Sequence, residues 1–268
     1  MNTNVVKSQK HLKRRIERFF LCRREGQAAG VLIDALAAHS RAWIFGGMIR
    51  DIGLFGRKGF TSDIDIVVDS NRESLLQLLS TLGVSQPAMT RFGGIRFRYH
   101  AMEYDIWCLS DTWAFRENLI PLEDANSLFK TTLMTWDAIL YDVNKRQVIS
   151  PDNYLDDLND RRLELVFGQT PNETGSLIKI LRTIYNKRVE VLGPELCQYL
   201  AQRLKQVEFE LLWRYERTHY RTNSFSADQI TELMRYLDRA SPTGDLKINI
   251  NERECQLAFH FNDNPGKG

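Results

Sequence analysis

Residues 45–68 read FGGMIRDIGLFGRKGFTSDIDIVV, and this stretch decides the fold. A short apolar run, Ala42-Trp43-Ile44-Phe45, stops at Gly46-Gly47. Residues 48–54 then carry a short helical pattern, and polar and apolar residues alternate through Asp63-Ile64-Asp65-Ile66 before Val67-Val68. The order is strand, turn, helix, strand. Glycines between a strand and a helix let the backbone come close to a ligand, so their amides and the helix N-terminus can hold phosphate oxygens. On a strand, residues i and i+2 share a face at about 6.5 to 7 Å, so Asp63 and Asp65 point the same way while Ile64 faces the core. Two such carboxylates repel unless a cation compensates them. A hard cation held by one or two carboxylates plus substrate phosphates is how Mg²⁺ is usually bound. A lone Gly-Gly or a lone Asp-x-Asp means little; together in this context they mark a candidate nucleotide and metal site.

Working outward, residues 7–24 hold Lys7, Lys10, Lys13, Arg14, Arg15, Arg18, Arg23 and Arg24 against Glu17 alone, with Leu12, Ile16, Phe19 and Phe20 at helical spacing. The pattern predicts an amphipathic helix whose basic face is either solvated or a phosphate-contacting surface. A second amphipathic helix is expected over 28–39. Beyond the opening stretch, Asn71 is the expected N-cap of a helix over 71–82. Strands over 94–100 and 102–108 are separated by a tight turn and predict a hairpin. From Ser110 onward helical patterns dominate, apart from a hairpin joining 138–141 to 147–150. Helices are expected over 174–192 and 194–217, and over 225–237, where Ser226 or Asp228 opens the helix. The fold class is α+β: a small mixed β-sheet head followed by a helical neck or body domain. The expected division is a basic helix over 1–27, the head over 28–170, the helical domain over 171–245 and a tail over 246–268.

Composition sets the outer bounds. In 268 residues, 43% hydrophobic and 26% charged content is that of a folded globular chain. With 36 Lys+Arg against 34 Asp+Glu the net charge is only +2, so any nucleic-acid surface must be local. No apolar run approaches the roughly 18 residues of a membrane span, and the N-terminus lacks a signal-type apolar core. The expected compartment is the cytoplasm. Cys22, Cys108, Cys197 and Cys255 are too scattered for a metal pair or a disulfide framework, and His39, His100, His219 and His260 have no partner at metal-ligand spacing.

The quoted residues carry a resemblance. Gly46-Gly47-Met48-Ile49-Arg50-Asp51, Leu54-Phe55-Gly56-Arg57 and Asp63-Ile64-Asp65 stand where the DNA polymerase beta superfamily of nucleotidyltransferases has GGxVRD, LLGR and DxD. The chain resembles in particular the head domain of class II CCA-adding enzymes and bacterial poly(A) polymerases. Arg91-Phe92-Gly93, residues 138–142 and Leu181-Arg182 match weaker motifs of that head and neck.

The resemblance implies a metal-dependent transfer of a nucleoside monophosphate from an NTP to a hydroxyl, with an RNA 3′ end as acceptor and two Mg²⁺ ions, or Mn²⁺, as cofactors. It implies Asp63 and Asp65 as metal ligands and Asp105 as the third carboxylate, with Glu103 and Asp111 as competitors. It implies Gly46, Gly47, Arg50, Arg57 and Arg182 as nucleotide-binding residues, Arg50 either orienting the motif or touching phosphate. The departures are equally specific. Thr131-Thr132-Leu133-Met134-Thr135-Trp136-Asp137 replaces the family's RRDFTINA, and Gly175-Ser176-Leu177-Ile178-Lys179 replaces the EDxxR that reads the base. Base selection is therefore expected to differ from CCA addition. The rival reading is a nucleotide- or RNA-binding regulator on the same fold without turnover.

Overall fold

A computed structural model describes residues 5–22, 24–56, 59–60 and 62–249. The chain divides between Asn159 and Asp160 into two compact units.

In the first unit, α1 (Gln9–Cys22) and α2 (Arg24–His39) precede β1 (Ala42–Phe45), α3 (Gly47–Phe55), β2 (Ile64–Val68) and α4 (Arg72–Thr81). Then come β3 (Ala88–Met89), β4 (Ile95–Tyr99), β5 (Met102–Cys108), α5 (Trp113–Arg116), β6 (Leu140–Asp142), β7 (Gln147–Ile149) and α6 (Tyr154–Asn159). The seven strands form one mixed sheet in the order β3-β4-β5-β2-β1-β6-β7. Strand β2 runs antiparallel to β1 and parallel to β5, while β4–β5 and β6–β7 are the two expected hairpins.

The two faces of the sheet have different chemistry. Ile44, Ile64, Ile66, Val68, Tyr104 and Ile106 are buried on one face, as the period of two requires. On the other face Trp43, Val67 and Leu140 join Leu109, Phe115 and Leu128 in a buried cluster that Phe45 and Trp107 border. The segment that closes this second face was expected to be helical. It is instead built from the short helix α5 and 3₁₀ turns over Leu109–Asp111, Ala125–Thr131 and Thr135–Asp137. Asp124 caps the middle turn in a box with Ser127, so the apolar spacing there serves tight turns laid across the sheet.

Helix α1 is amphipathic, as its sequence predicts: Leu12, Ile16 and Phe19 are buried while Lys10, Arg14 and Arg18 are exposed. Arg15 has a structural role. Its guanidinium donates to the carbonyls of Ile52 (3.3 Å) and Gly53 (3.2 Å), adding to the bonds these already accept from the Gly56 and Val6 amides and tying α1 to the end of α3. Asn71 caps α4 by accepting from the Ser74 amide.

The second unit holds β8 (Arg162–Leu163), α7 (Glu173–Lys187), β9 (Val191–Leu192), α8 (Pro194–Leu204), α9 (Phe209–Tyr220), α10 (Ala227–Leu237) and β10 (Leu246–Lys247). Its helices are shorter than their apolar periodicity suggested. Arg188 turns left-handed at φ 56° and ends α7, and the run expected over 194–217 breaks between Leu204 and Phe209. Ser226, not Asp228, caps α10, in a box with Gln229. Three two-residue strands, β10-β9-β8, form a small second sheet. The expected tail contributes β10 at its start, and residues 250–268 lie outside the described residues. Among the described residues no helix is long and apolar enough to cross a membrane.

Candidate active site

Strand register builds the site. Asp65 stands opposite Phe45 on β1 and opposite Asp105 on β5, and Asp105 stands opposite Arg96 on β4. Directly paired residues on neighbouring strands share a face, with side chains about 4.5 to 5.5 Å apart at the Cβ. One row across the sheet therefore reads Arg96, Asp105, Asp65, Phe45. Asp63, two residues before Asp65, joins the same side. Asp63, Asp65 and Asp105 are all half-buried.

The alternatives to Asp105 lie elsewhere. Glu103 is exposed opposite Arg98, and Asp111, beyond the end of β5, is bound by Arg72 at 2.7 Å. Asp105 rests on backbone: a Cβ placed at Gly94 would lie 2.7 Å from Asp105 Oδ1, so a glycine is needed for the carboxylate to lean there.

Arg96 is the residue that the motifs did not mark. Its Nη2 donates to Asp105 Oδ2 at 2.7 Å. That hydrogen bond raises the Arg96 pKa above its ordinary value; burial opposes the rise, and the charges of Asp105, Asp63 and Asp65 add to it. All three carboxylates thus act on one guanidinium. The signal was present in the sequence: Ile95-Arg96-Phe97-Arg98 alternates as a strand, and a two-residue turn after Tyr99 fixes Arg96 against Asp105.

The glycine bend is at the other end of the row. Gly46 continues from Phe45 with φ 63°, a conformation that favours glycine, and its amide donates to the Ile139 carbonyl at 3.0 Å. A Cβ there would meet the Asp137 carbonyl at 3.4 Å. Helix α3 starts at Gly47, so the first amides of the helix, which have no acceptor within it, lie just past the bend.

Arg50, expected to orient the motif or to touch phosphate, is buried. Its Nε donates to Asp51 Oδ1 at 2.8 Å and its Nη1 to Asp137 Oδ1. Burial alone would lower its pKa, but Asp137 and Asp51 hold it above the ordinary arginine value. The guanidinium clamps α3 to the 3₁₀ turn behind Gly46, which leaves it shaping the bend rather than reaching into solvent. Arg182, expected to reach a nucleotide, is similarly engaged inside the second unit. Its Nη1 donates to Glu216 Oε1 (2.6 Å), Thr222 Oγ1 (2.5 Å) and Ser224 Oγ (2.9 Å), and its guanidinium lies 4.1 Å from the Tyr220 ring centroid. Glu216 is fully buried, so this arginine compensates a carboxylate that would otherwise be stranded. Arg57 lies outside the described residues.

Among the described residues no three His, Cys, Asp or Glu side chains gather closely enough to hold a metal ion unaided. The donor set still suits one. It consists of carboxylate oxygens on adjacent strands, with a guanidinium standing across them as the compensating cation. Hard divalent cations take such oxygens and complete their shells from substrate phosphates and water.

A mixed sheet with a strand, glycine bend, helix and Asp-x-Asp strand at its centre makes this unit an α+β head. Solved structures share the fold. The chain is similar to a tRNA-processing enzyme with CTP (22% identity, TM-score 0.53, 76% of this chain and 55% of that one). It is also similar to a tRNA nucleotidyltransferase complexed with a primer tRNA and an incoming ATP analog (20%, TM-score 0.56, 77% and 60%). A third is the Bacillus stearothermophilus CCA-adding enzyme in complex with CTP (16%, TM-score 0.51, 72% and 47%). At these identities the likeness is one of fold. The chain spans little more than half the length of the first of these proteins. No family model and no curated protein matches it.

Proposed function

We propose that the protein is a divalent-metal-dependent nucleotidyltransferase that moves a nucleoside monophosphate from an NTP to the terminal hydroxyl of an RNA acceptor. The observation that carries this reading is the register: Asp65 and Asp105 paired on parallel strands, Asp63 two residues away, and the Gly46–Gly47 bend at the end of the neighbouring strand. The fold shared with tRNA nucleotidyltransferases supports it.

In this reading Asp63, Asp65 and Asp105 hold Mg²⁺ or Mn²⁺, two ions when the substrate is bound. Such ions neutralise a triphosphate and make a hydroxyl easier to deprotonate. The amides at Gly47 and the start of α3 hold phosphate oxygens, and the Arg50 clamp keeps the bend in place for them. The acceptor oxygen bonds to the α-phosphorus, the bond to the bridging oxygen breaks, and pyrophosphate leaves with that electron pair. In this reading Asp105, the outermost of the three carboxylates, either completes the metal shell or takes the hydroxyl proton. With RRDFTINA and EDxxR replaced, the base chosen need not be C or A.

Incubation of the purified protein with each labelled NTP, Mg²⁺ or Mn²⁺, and total RNA tests the proposal. Incorporation should occur with the native chain and vanish in Asp63→Asn/Asp65→Asn. The Arg96–Asp105 ion pair favours the rival, a nucleotide- or RNA-binding regulator, because it occupies a carboxylate that turnover needs. Binding without incorporation under every NTP and acceptor would establish that rival.

A further inference from the structure

The turn that precedes β4 brings two arginines together beside a single carboxylate, Asp111. Gly93 adopts φ 91°, and a Cβ on it would lie 2.8 Å from Arg72 Nη2 and 3.5 Å from Arg116 Nη1. Two guanidinium groups therefore converge on one point. Asp111 binds Arg72 at 2.7 Å, whereas Arg116 donates to the Phe92 carbonyl at 3.4 Å and has no carboxylate partner among the described residues. Phe92 keeps 37% of its surface exposed beside these guanidinium groups, and Arg91 lies 5.7 Å from its ring. An exposed ring flanked by arginines is how single-stranded nucleic acids are held: a base stacks on the ring and the guanidinium groups take the phosphates.

The position of the turn adds to this. The glycine bend lies on the β1 side of the carboxylate row, and the Gly93 turn leads into β4 on the β5 side. In an in-line displacement the attacking hydroxyl and the leaving pyrophosphate stand on opposite sides of phosphorus. If the bend holds the leaving phosphates, the Gly93 turn stands on the side open to an attacking strand.

We propose that Arg72, Arg116 and Phe92 form the docking point for the single-stranded 3′ end of the acceptor, binding a phosphodiester a short way upstream of the reacting hydroxyl. This rests on the nucleotidyltransferase reading, but its test does not need turnover. Fluorescence anisotropy of a 5′-fluorescein-labelled 12-nucleotide RNA is followed in EDTA from 50 to 200 mM KCl, beside Mn²⁺-dependent binding of a fluorescent ATP analogue. Arg116→Glu should weaken RNA binding by about tenfold and lower the salt slope by about one, and Phe92→Ala should weaken it by about tenfold. ATP-analogue binding should stay at its native level in both. Arg14→Glu, the same charge change on the exposed face of α1, is the control and should cost far less.

The proposal is overturned if Arg14→Glu and Arg116→Glu weaken RNA equally, if Arg116→Glu loses the ATP analogue as well, or if the native protein binds no RNA at 50 mM KCl. Circular dichroism confirms that each variant is folded. Arg72→Ala, in which the second guanidinium is removed instead, must weaken RNA binding too. RNA binding through Arg116 without incorporation would uphold this docking point and sink the nucleotidyltransferase reading, so the two failures are distinct.

Discussion

Arg50→Met tests the clamp behind the glycine bend. The side chains of Arg50, Asp51 and Asp137 are 8%, 4% and 6% exposed, and one guanidinium binds both carboxylates. Methionine roughly matches the arginine stem in volume but removes the positive charge that both buried carboxylates share. Removing one partner of a buried ion pair costs about 3 to 5 kcal/mol. At about 2 to 4 °C per kcal/mol for a domain near this size, a mid-range cost of about 4 kcal/mol lowers Tm by roughly 8 to 16 °C. The total stability of a domain is only about 5 to 15 kcal/mol, so the loss should be plain. Urea unfolding followed by tryptophan fluorescence reads mainly the first unit, because Trp43, Trp107, Trp113 and Trp136 lie within it and Trp213 alone lies in the second; Trp213→Phe removes that contribution. A double-mutant cycle sharpens the test. Asp137→Asn should relieve part of the damage, so the double variant should be at least about 2 kcal/mol more stable than the two single costs predict. Additivity within about 0.5 kcal/mol would refute the clamp.

Gly46→Ala should cost about 1 to 3 kcal/mol, because alanine is strained at φ 63°. Gly47→Ala, whose Cβ would stand in ordinary contact 3.5 Å from the Arg50 guanidinium, should be milder, and thermal melts compare the two. Arg96→Met frees Asp105, so Mn²⁺ should bind the protein several-fold more tightly by electron paramagnetic resonance; unchanged or weaker binding would show that Arg96 does not compete for the site. Burial pushes the Cys108 thiol up to about 11 from an ordinary 9.0. A raised acid pKa stabilises the fold fully below the unfolded value and loses that contribution as pH climbs. Stability should therefore fall between about pH 9 and 11 through this group, and less steeply in Cys108→Val, by urea titration at each pH. The same burial predicts that iodoacetamide at pH 8 labels exposed Cys22 well before Cys108 and Cys197.

The centre of the fold was legible because its signals are local. The glycines fix the bend, the alternation around Asp63 and Asp65 fixes which face they share, and Asn71 and Ser226 announce their helices. What the sequence hid depends on contacts between distant residues. Asp105 competed with Glu103 and Asp111 until the β2–β5 register set it opposite Asp65. The sequence leaves Arg50 open between orienting the motif and touching phosphate, because its second partner, Asp137, lies 87 residues away in a turn that matches no motif. Residues 205–208 contain neither glycine nor proline, so the break between α8 and α9 left no mark in the periodicity. The small strands β8, β9 and β10 are too short for alternation to reveal them.

The most direct measurement is anomalous diffraction from crystals grown with Mn²⁺ and a non-hydrolysable NTP. The account predicts manganese peaks bounded by Asp63, Asp65 and Asp105, Arg96 displaced from Asp105, and the triphosphate on the amides that follow Gly46. Manganese and nucleotide bound away from that row, with Arg96 still on Asp105, would contradict it.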